Sequence, residues 1–108
     1  MDAIAPLTLG FVSDLHYGPE ARFNGRLRKL TAHAADLTAA AVASLDAADV
    51  DAVVNLGDDI EDESHALDLE RYRACQSVLR GAKAPVINVA GNHDTIHLKA
   101  RELLDAWS

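Results

Sequence analysis

The sequence holds a single cysteine, Cys75, among 108 residues. An intrachain disulfide is excluded, and this usage is compatible with a reducing compartment. Positive charge is also scarce: 10 Lys and Arg stand against 17 Asp and Glu, a formal net charge of −7. That balance argues against a nucleic-acid or anionic-membrane surface. It leaves a phosphate substrate open, because bound divalent cations can invert the field of an acidic site. No apolar run approaches transmembrane length. The N-terminal stretch "MDAIAPLTLGFVSD" lacks a basic n-region and carries Asp2, which argues against a signal peptide. The expectation is a soluble, cytoplasmic chain. Internal repeats, low-complexity tracts and linkers are missing too. No G-x-G-x-x-G follows the first strand and no Walker A lysine loop occurs, which weakens a nucleotide-binding doubly wound reading.

What is present fits one modest domain, with 49% apolar and 25% charged residues. "LTLGFVSD" (Leu7–Asp14) reads as a strand behind Pro6, and "HYGPEARFNG" as a loop. A helix is expected from about Arg26 to Ala48, with an apolar stripe of Leu27, Leu30, Ala34, Leu37, Ala41 and Leu45. Asp51–Asp59 gives a second strand. A second helix follows over Ser64 to Arg80, with Leu69, Tyr72, Cys75 or Gln76, and Leu79 as its stripe. "PVINVAGNHD" gives a third strand running into a polar turn. A last helix is expected over Thr95 to Trp107, burying Ile96, Ala100, Leu103, Leu104 and Trp107. The order βαβαβα implies an α/β fold around a parallel sheet. Nearly continuous apolar strands imply a sheet buried on both faces.

In such sheets ligands bind beyond the carboxyl ends of the strands. Each strand here ends in metal-competent side chains: Asp14 and His16 in "SDLH", Asp58 in "GDDIED", and Asn92 with His93 in "GNHD". If the chain stays extended past the first strand, Asp14 and His16 point to one side and can share a cation. Asp58 could then bridge to a second, and Asn92 offers a neutral oxygen suited to a hard or borderline ion. Gly57 and Gly91 allow tight turns. Alone, D-x-H or G-D-D is an ordinary turn, and Asn92 or Asp94 could merely cap a helix. Three such motifs, each at a strand end, are a much stronger signal.

"DLH", "GDDIE" and "GNHD" resemble the D-x-H, G-D-x-x-(D/N/E) and G-N-H-(D/E) blocks of the calcineurin-like metallophosphoesterases. The resemblance spans the whole chain, whose element order is similar to the N-terminal half of that family's four-layer αββα sandwich. It implies two divalent ions, Mn, Fe or Zn, and hydrolysis of phosphate monoesters, diesters or phosphoanhydrides by a metal-bridging hydroxide. Asp14 and His16 would hold the first ion, Asp58 would bridge, and Asn92 would hold the second. His93, oriented by Glu61 or by its neighbour Asp62, would stabilise the transition state and assist the leaving oxygen. Asn92 and His93 would face a phosphorylated small-molecule substrate. The family's later histidine ligands have no counterpart here, since His97 matches neither downstream block. The expectation is a partial domain with an incomplete second metal site, little activity alone, and self-association through an uncovered sheet face.

The remaining candidates read blandly. His33 is a helix-boundary residue, His65 and His97 are surface residues near the site, and Cys75 is a small core side chain. Asp59, Asp62 and Glu63 either attract cations or solvate a loop. Arg22, Arg26, Arg28 and Lys29 are ordinary surface cations that could reach a phosphate. Trp107 is a hydrophobic anchor. A non-catalytic metal-binding or interaction module is the competing function. A phosphoaspartyl enzyme is disfavoured, because "DLH" lacks the second acid expected after the nucleophile.

Overall fold

The computed structural model describes residues 5–18, 21–23, 26–29 and 33–108, with backbone alone for the second and third of these segments. Three parallel strands form the central sheet: β1 (Leu9–Val12), β4 (Ala52–Asn55) and β5 (Val86–Asn88), in the order β1-β4-β5. A separate antiparallel pair, β2 (Ala21–Phe23) and β3 (Arg26–Lys29), follows β1. The helices are α1 (Ala34–Ala47), α2 (His65–Leu79) and α3 (Ala100–Trp107), with a short 3-10 turn at His93–Thr95. The α/β fold around a parallel sheet is as expected.

Two elements depart from the sequence reading. The first helix does not begin near Arg26, because residues 26–29 pair with 21–23 as strands. Asn24-Gly25 is a strong hairpin signal between two short runs, and helical periodicity masked it. Leu30 lies outside the described residues. The last helix starts at Ala100 rather than Thr95, with the 3-10 turn before it. Ile96 and Leu104 are exposed, at 55% and 57%, while Leu98, Leu103 and Ala106 are buried.

The core lies between the sheet and the helices. Val12, Val53, Tyr72, Cys75, Leu79, Leu98 and Leu103 form one buried cluster. On α1 the buried face is Ala34, Thr38 and Val42, so the expected stripe is rotated and Leu37 is exposed. Small residues serve there because the helix lies close. Thr38 satisfies its hydroxyl on the Ala34 carbonyl at 2.7 Å. A Cβ on Gly10 of β1 would come within 2.5 Å of Leu45 Cδ2. On α2 the stripe is as expected, with Ser64 capping the helix by accepting from the Leu67 N–H at 3.3 Å. Trp107 packs against the cluster and donates from Nε1 to the Tyr72 hydroxyl at 2.7 Å.

The sheet is not buried on both faces. Phe11, Val54 and Ile87 are in register across the three strands. Phe11, Ile87 and Val89 are about half exposed. Continuous hydrophobicity in these strands reflects two apolar faces, of which the helices cover one.

Candidate metal centre

The loops after β1 and β4 continue to pair beyond the sheet. Asp14 N–H donates to the Gly57 carbonyl at 3.0 Å, His16 N–H to Asp58 at 3.1 Å, and Tyr17 N–H to Asp59 at 2.7 Å. Glu61 N–H returns to Tyr17 at 2.9 Å, and Tyr17 and Ile60 form a parallel bridge. This zipper lays "DLH" alongside "GDDIE". The chain is not extended there, contrary to the simplest expectation. Asp14, His16 and Asp58 have φ of 58°, 47° and 57°. Left-handed backbone is uncommon for residues other than glycine, though Asp and His are among those that adopt it most readily. The bends still aim the side chains together. One ligand atom from each of Asp14, His16 and Asp58 lies within 4.8 Å of the others. Among the described residues no other trio of His, Cys, Asp or Glu does so.

Gly57 and Gly91 bring the third loop in. Gly57 has φ of 99°, and a Cβ there would collide with the Gly91 backbone nitrogen and sit 2.8 Å from Gly91 Cα. This close approach places Asn92 beside Asp58. The Asn92 amide tip lies 3.1 and 3.2 Å from the two Asp58 carboxylate oxygens. With its nitrogen turned inward both contacts are hydrogen bonds. With its oxygen inward, three oxygens meet as they would around a cation. His93 N–H donates to Asp58 Oδ1 at 3.0 Å.

The histidines are held by carboxylates. His93 Nδ1 is 2.5 Å from Asp62 Oδ1. This hydrogen bond raises the His93 pKa above its usual value and lowers that of Asp62. The pairing considered for Glu61 is thus made by Asp62. Glu61 Oε2 lies 2.8 Å from His16 Nδ1, an ion-pair distance without hydrogen-bond alignment. His16 Nε2 is 3.4 Å from Asp14 Oδ1. Asp14 is held below its ordinary value first by the Ser13 hydroxyl, which donates to Oδ2 at 2.7 Å. The rings of His16 and His93 meet edge to face, 5.2 Å apart.

Carboxylate and imidazole donors at one point, with an amide oxygen beyond, are the donor chemistry of Mn, Fe and Zn sites. The residues present therefore fit a metal. The sequence matches the calcineurin-like phosphoesterase family over residues 7–107. The chain belongs to that family. A dimetal phosphatase from Danio rerio is similar in structure, with a TM-score of 0.74 and 25% identity over 92% of this chain. The match covers 33% of that phosphatase, so this chain spans about a third of its length. No curated protein sequence matches. In this chain the polar residues sit at the carboxyl ends of the parallel strands. Among the described residues, no helix is long and apolar enough to cross a membrane.

Other expectations sort as follows. His65 pairs with Glu102 at 2.8 Å, and His97 with the buried Asp68 at 2.7 Å. Both tie the start of α2 to the segment around α3. His33 is exposed at the start of α1. Cys75 is buried, which pushes its thiol pKa far up, so it is inert core. Side-chain positions of Arg22, Arg26, Arg28 and Lys29 lie outside the described set.

Sequence reasoning missed the ground beneath the site. Asp59, expected to attract cations or to solvate a loop, is fully buried. It accepts from Asn55 Nδ2 at 2.8 Å and Gln76 Nε2 at 2.9 Å, and both donors also reach Asn88 Oδ1. Burial pushes its pKa up to about 6. Asn55 and Asn88, polar residues at the ends of apolar strands, were the available signal.

Proposed function

We propose that this edge is part of a metal-dependent phosphoesterase site acting on phosphate monoesters, diesters or phosphoanhydrides of small molecules. The convergence of Asp14, His16 and Asp58 donor atoms within 4.8 Å carries the reading. Family membership and the dimetal phosphatase neighbour support it. Two divalent ions, Mn, Fe or Zn, would supply Lewis-acid charge and an activated water. Asp14, His16 and Asp58 would hold the first ion, and Asp58 with Asn92 would hold the second. His93 keeps Nδ1 on Asp62 and so presents Nε2 to the substrate. Its raised pKa favours the imidazolium. That cation stabilises charge on the phosphoryl oxygens and gives its proton to the leaving oxygen. Asp62 fixes the ring against rotation and offsets its charge.

Mn²⁺ titration of the chain with p-nitrophenyl phosphate and its diester tests this. Weak but saturable Mn²⁺ binding that is lost in Asp58→Ala is expected, with turnover that is small in this chain alone and dependent on the same ion. No binding at millimolar Mn²⁺ would remove the metal reading. Binding without turnover would favour the second reading, a non-catalytic metal-binding module. One observation favours that alternative: among the described residues, the one convergent trio of His, Cys, Asp or Glu is Asp14, His16 and Asp58, with Asn92 alone beside Asp58 as a further oxygen donor. The half-exposed Phe11, Ile87 and Val89 also support self-association of this chain through the open sheet face. A concentration-independent monomer in light scattering would contradict it.

A further inference from the structure

The last residue of "GNHD" has a fully buried carboxylate. Asp94 Oδ2 accepts from the Gly91 N–H at 2.9 Å, within its own turn. A cap would end there. The same oxygen also accepts from the Asp58 N–H at 2.9 Å, and Oδ1 accepts from the Asp59 N–H at 2.8 Å. These two donors lie 36 and 35 residues away in the chain. They belong to the turn where Asp58 leaves β4 with φ of 57°. Buried backbone N–H groups need acceptors, and a left-handed turn that has left its sheet lacks them. One carboxylate supplies both.

The link runs in both directions. Asp94 holds the Asp58 backbone, while the N–H of the adjacent His93 holds Asp58 Oδ1. Backbone and carboxylate of the shared ligand are thus both gripped from the turn that carries Asn92. We infer that Asp94 is a positioning residue, fixing where the Asp58 carboxylate meets the Asn92 amide so that both loops bind metal as one unit. This rests on the metal reading above. Only a group with two acceptor oxygens fits. An asparagine would keep one acceptor and turn its NH2 against an N–H donor. A glutamate keeps both oxygens on a stem one methylene longer.

The test compares the full chain with Asp94→Asn and Asp94→Glu. Amide hydrogen exchange is read at Asp58, Asp59 and Gly91 in the metal-free state, and Mn²⁺ affinity by calorimetry. In Asp94→Asn the three amides are expected to exchange faster than those of α1, and Mn²⁺ affinity to fall about 10- to 100-fold. Asp94→Glu is expected to lie between wild type and Asn in both readouts. The proposal is overturned if protection and affinity move independently in whichever variant folds. It is also overturned if Mn²⁺ affinity per folded molecule is unchanged, or if all amides lose protection alike. Failure of the wild type to bind Mn²⁺ would sink the metal reading instead. A loss of protection in Asp94→Asn confined to Asp58, Asp59 and Gly91 would still support the clamp, and the lack of any such loss would overturn it.

Discussion

Asp14 and His16 reach Asp58 from backbone bent into the left-handed region at all three residues, whereas Asn92 reaches it from ordinary right-handed backbone, φ −68° and ψ −36°. On the first side the aim of each ligand is set by its own φ and ψ, with a zipper of backbone hydrogen bonds holding the bends in place. On the second side the turn is relaxed, and its aim depends on what grips it: Gly57 against Gly91, and the N–H of His93 on Asp58. Left-handed backbone costs roughly 1–2 kcal/mol per non-glycine residue, less for Asp. The first side stores that cost at the proposed metal site, where strained backbone is often found. The difference teaches that two halves of one centre can be ordered by different physics. They should therefore fail differently.

Removing the residue common to both sides should have the largest effect. Asp58→Ala deletes a donor from the trio and the partner of Asn92 and His93. We expect loss of metal at both positions and a fall in turnover of about 10³-fold or more, read by calorimetry and p-nitrophenyl phosphate hydrolysis. Retained stoichiometric Mn²⁺ would show that the sides do not share a ligand. Gly91→Ala should rank next. Its Cβ would strike the Asp58 backbone nitrogen and lie 2.7 Å from Asp58 Cγ. Since the obstacle is backbone, the loops must part, and about 1–3 kcal/mol of stability should be lost. Metal binding should weaken on the Asn92 side more than on the Asp14–His16 side, because the added methyl drives the Gly91 loop directly from Asp58, while Asp14 and Tyr17 keep their own bonds to Gly57 and Asp59. Thermal melts with and without Mn²⁺ check this.

Such a contrast explains what could be read in advance. The α/β order was legible because apolar runs of strand length alternate with helical stripes. The candidate site was legible in outline because Asp14, His16, Asp58, Asn92 and His93 all fall where strands end. What was not legible is what holds them. Nothing in "SDLH" announces positive φ at Asp14 and His16, because the pairing that stabilises it comes from residues more than forty positions away. Nor does "GDDIED" say whether Glu61 or Asp62 meets His93. One residue of difference is decided by the path of the loop, which places Asp62 on Nδ1. Asp59 was the hardest to see, since a buried acid among acids differs only in its tertiary partners.

Asp62→Asn sharpens the comparison from one side alone. It touches His93 and none of Asp14, His16 or Asp58. The Asn side chain can keep a hydrogen bond but not the charge that raises the His93 pKa. We expect kcat to fall about 10- to 100-fold, the lower range for a displaced acid–base partner, with Mn²⁺ affinity unchanged. The limb of the pH profile set by His93 should shift to lower pH. A drop in metal affinity would instead tie Asp62 to the ion.

Asp59 should have the smallest effect on metal binding and turnover, because its role is in stability. Its pKa is about 6 in the folded chain against an ordinary 3.8, because burial penalises the charged form. Between those values the native state binds more protons than the unfolded state. Stability must therefore fall as pH rises from about 4 to about 6, then level off. A shift of about two units corresponds to at most on the order of 2–3 kcal/mol. Asp94, also raised by burial, adds slope of the same sign, while Asp14 and Asp62, both lowered, oppose it. The informative quantity is thus the difference between wild type and Asp59→Asn, measured by urea unfolding in metal-free buffer. That difference should tilt in favour of the variant as pH rises through the interval. A flat difference would mean that Asp59 keeps its ordinary pKa. Its four-residue polar network with Asn55, Gln76 and Asn88 would then support the charge fully, and the platform beneath the centre would be as indifferent to pH as its apolar surroundings.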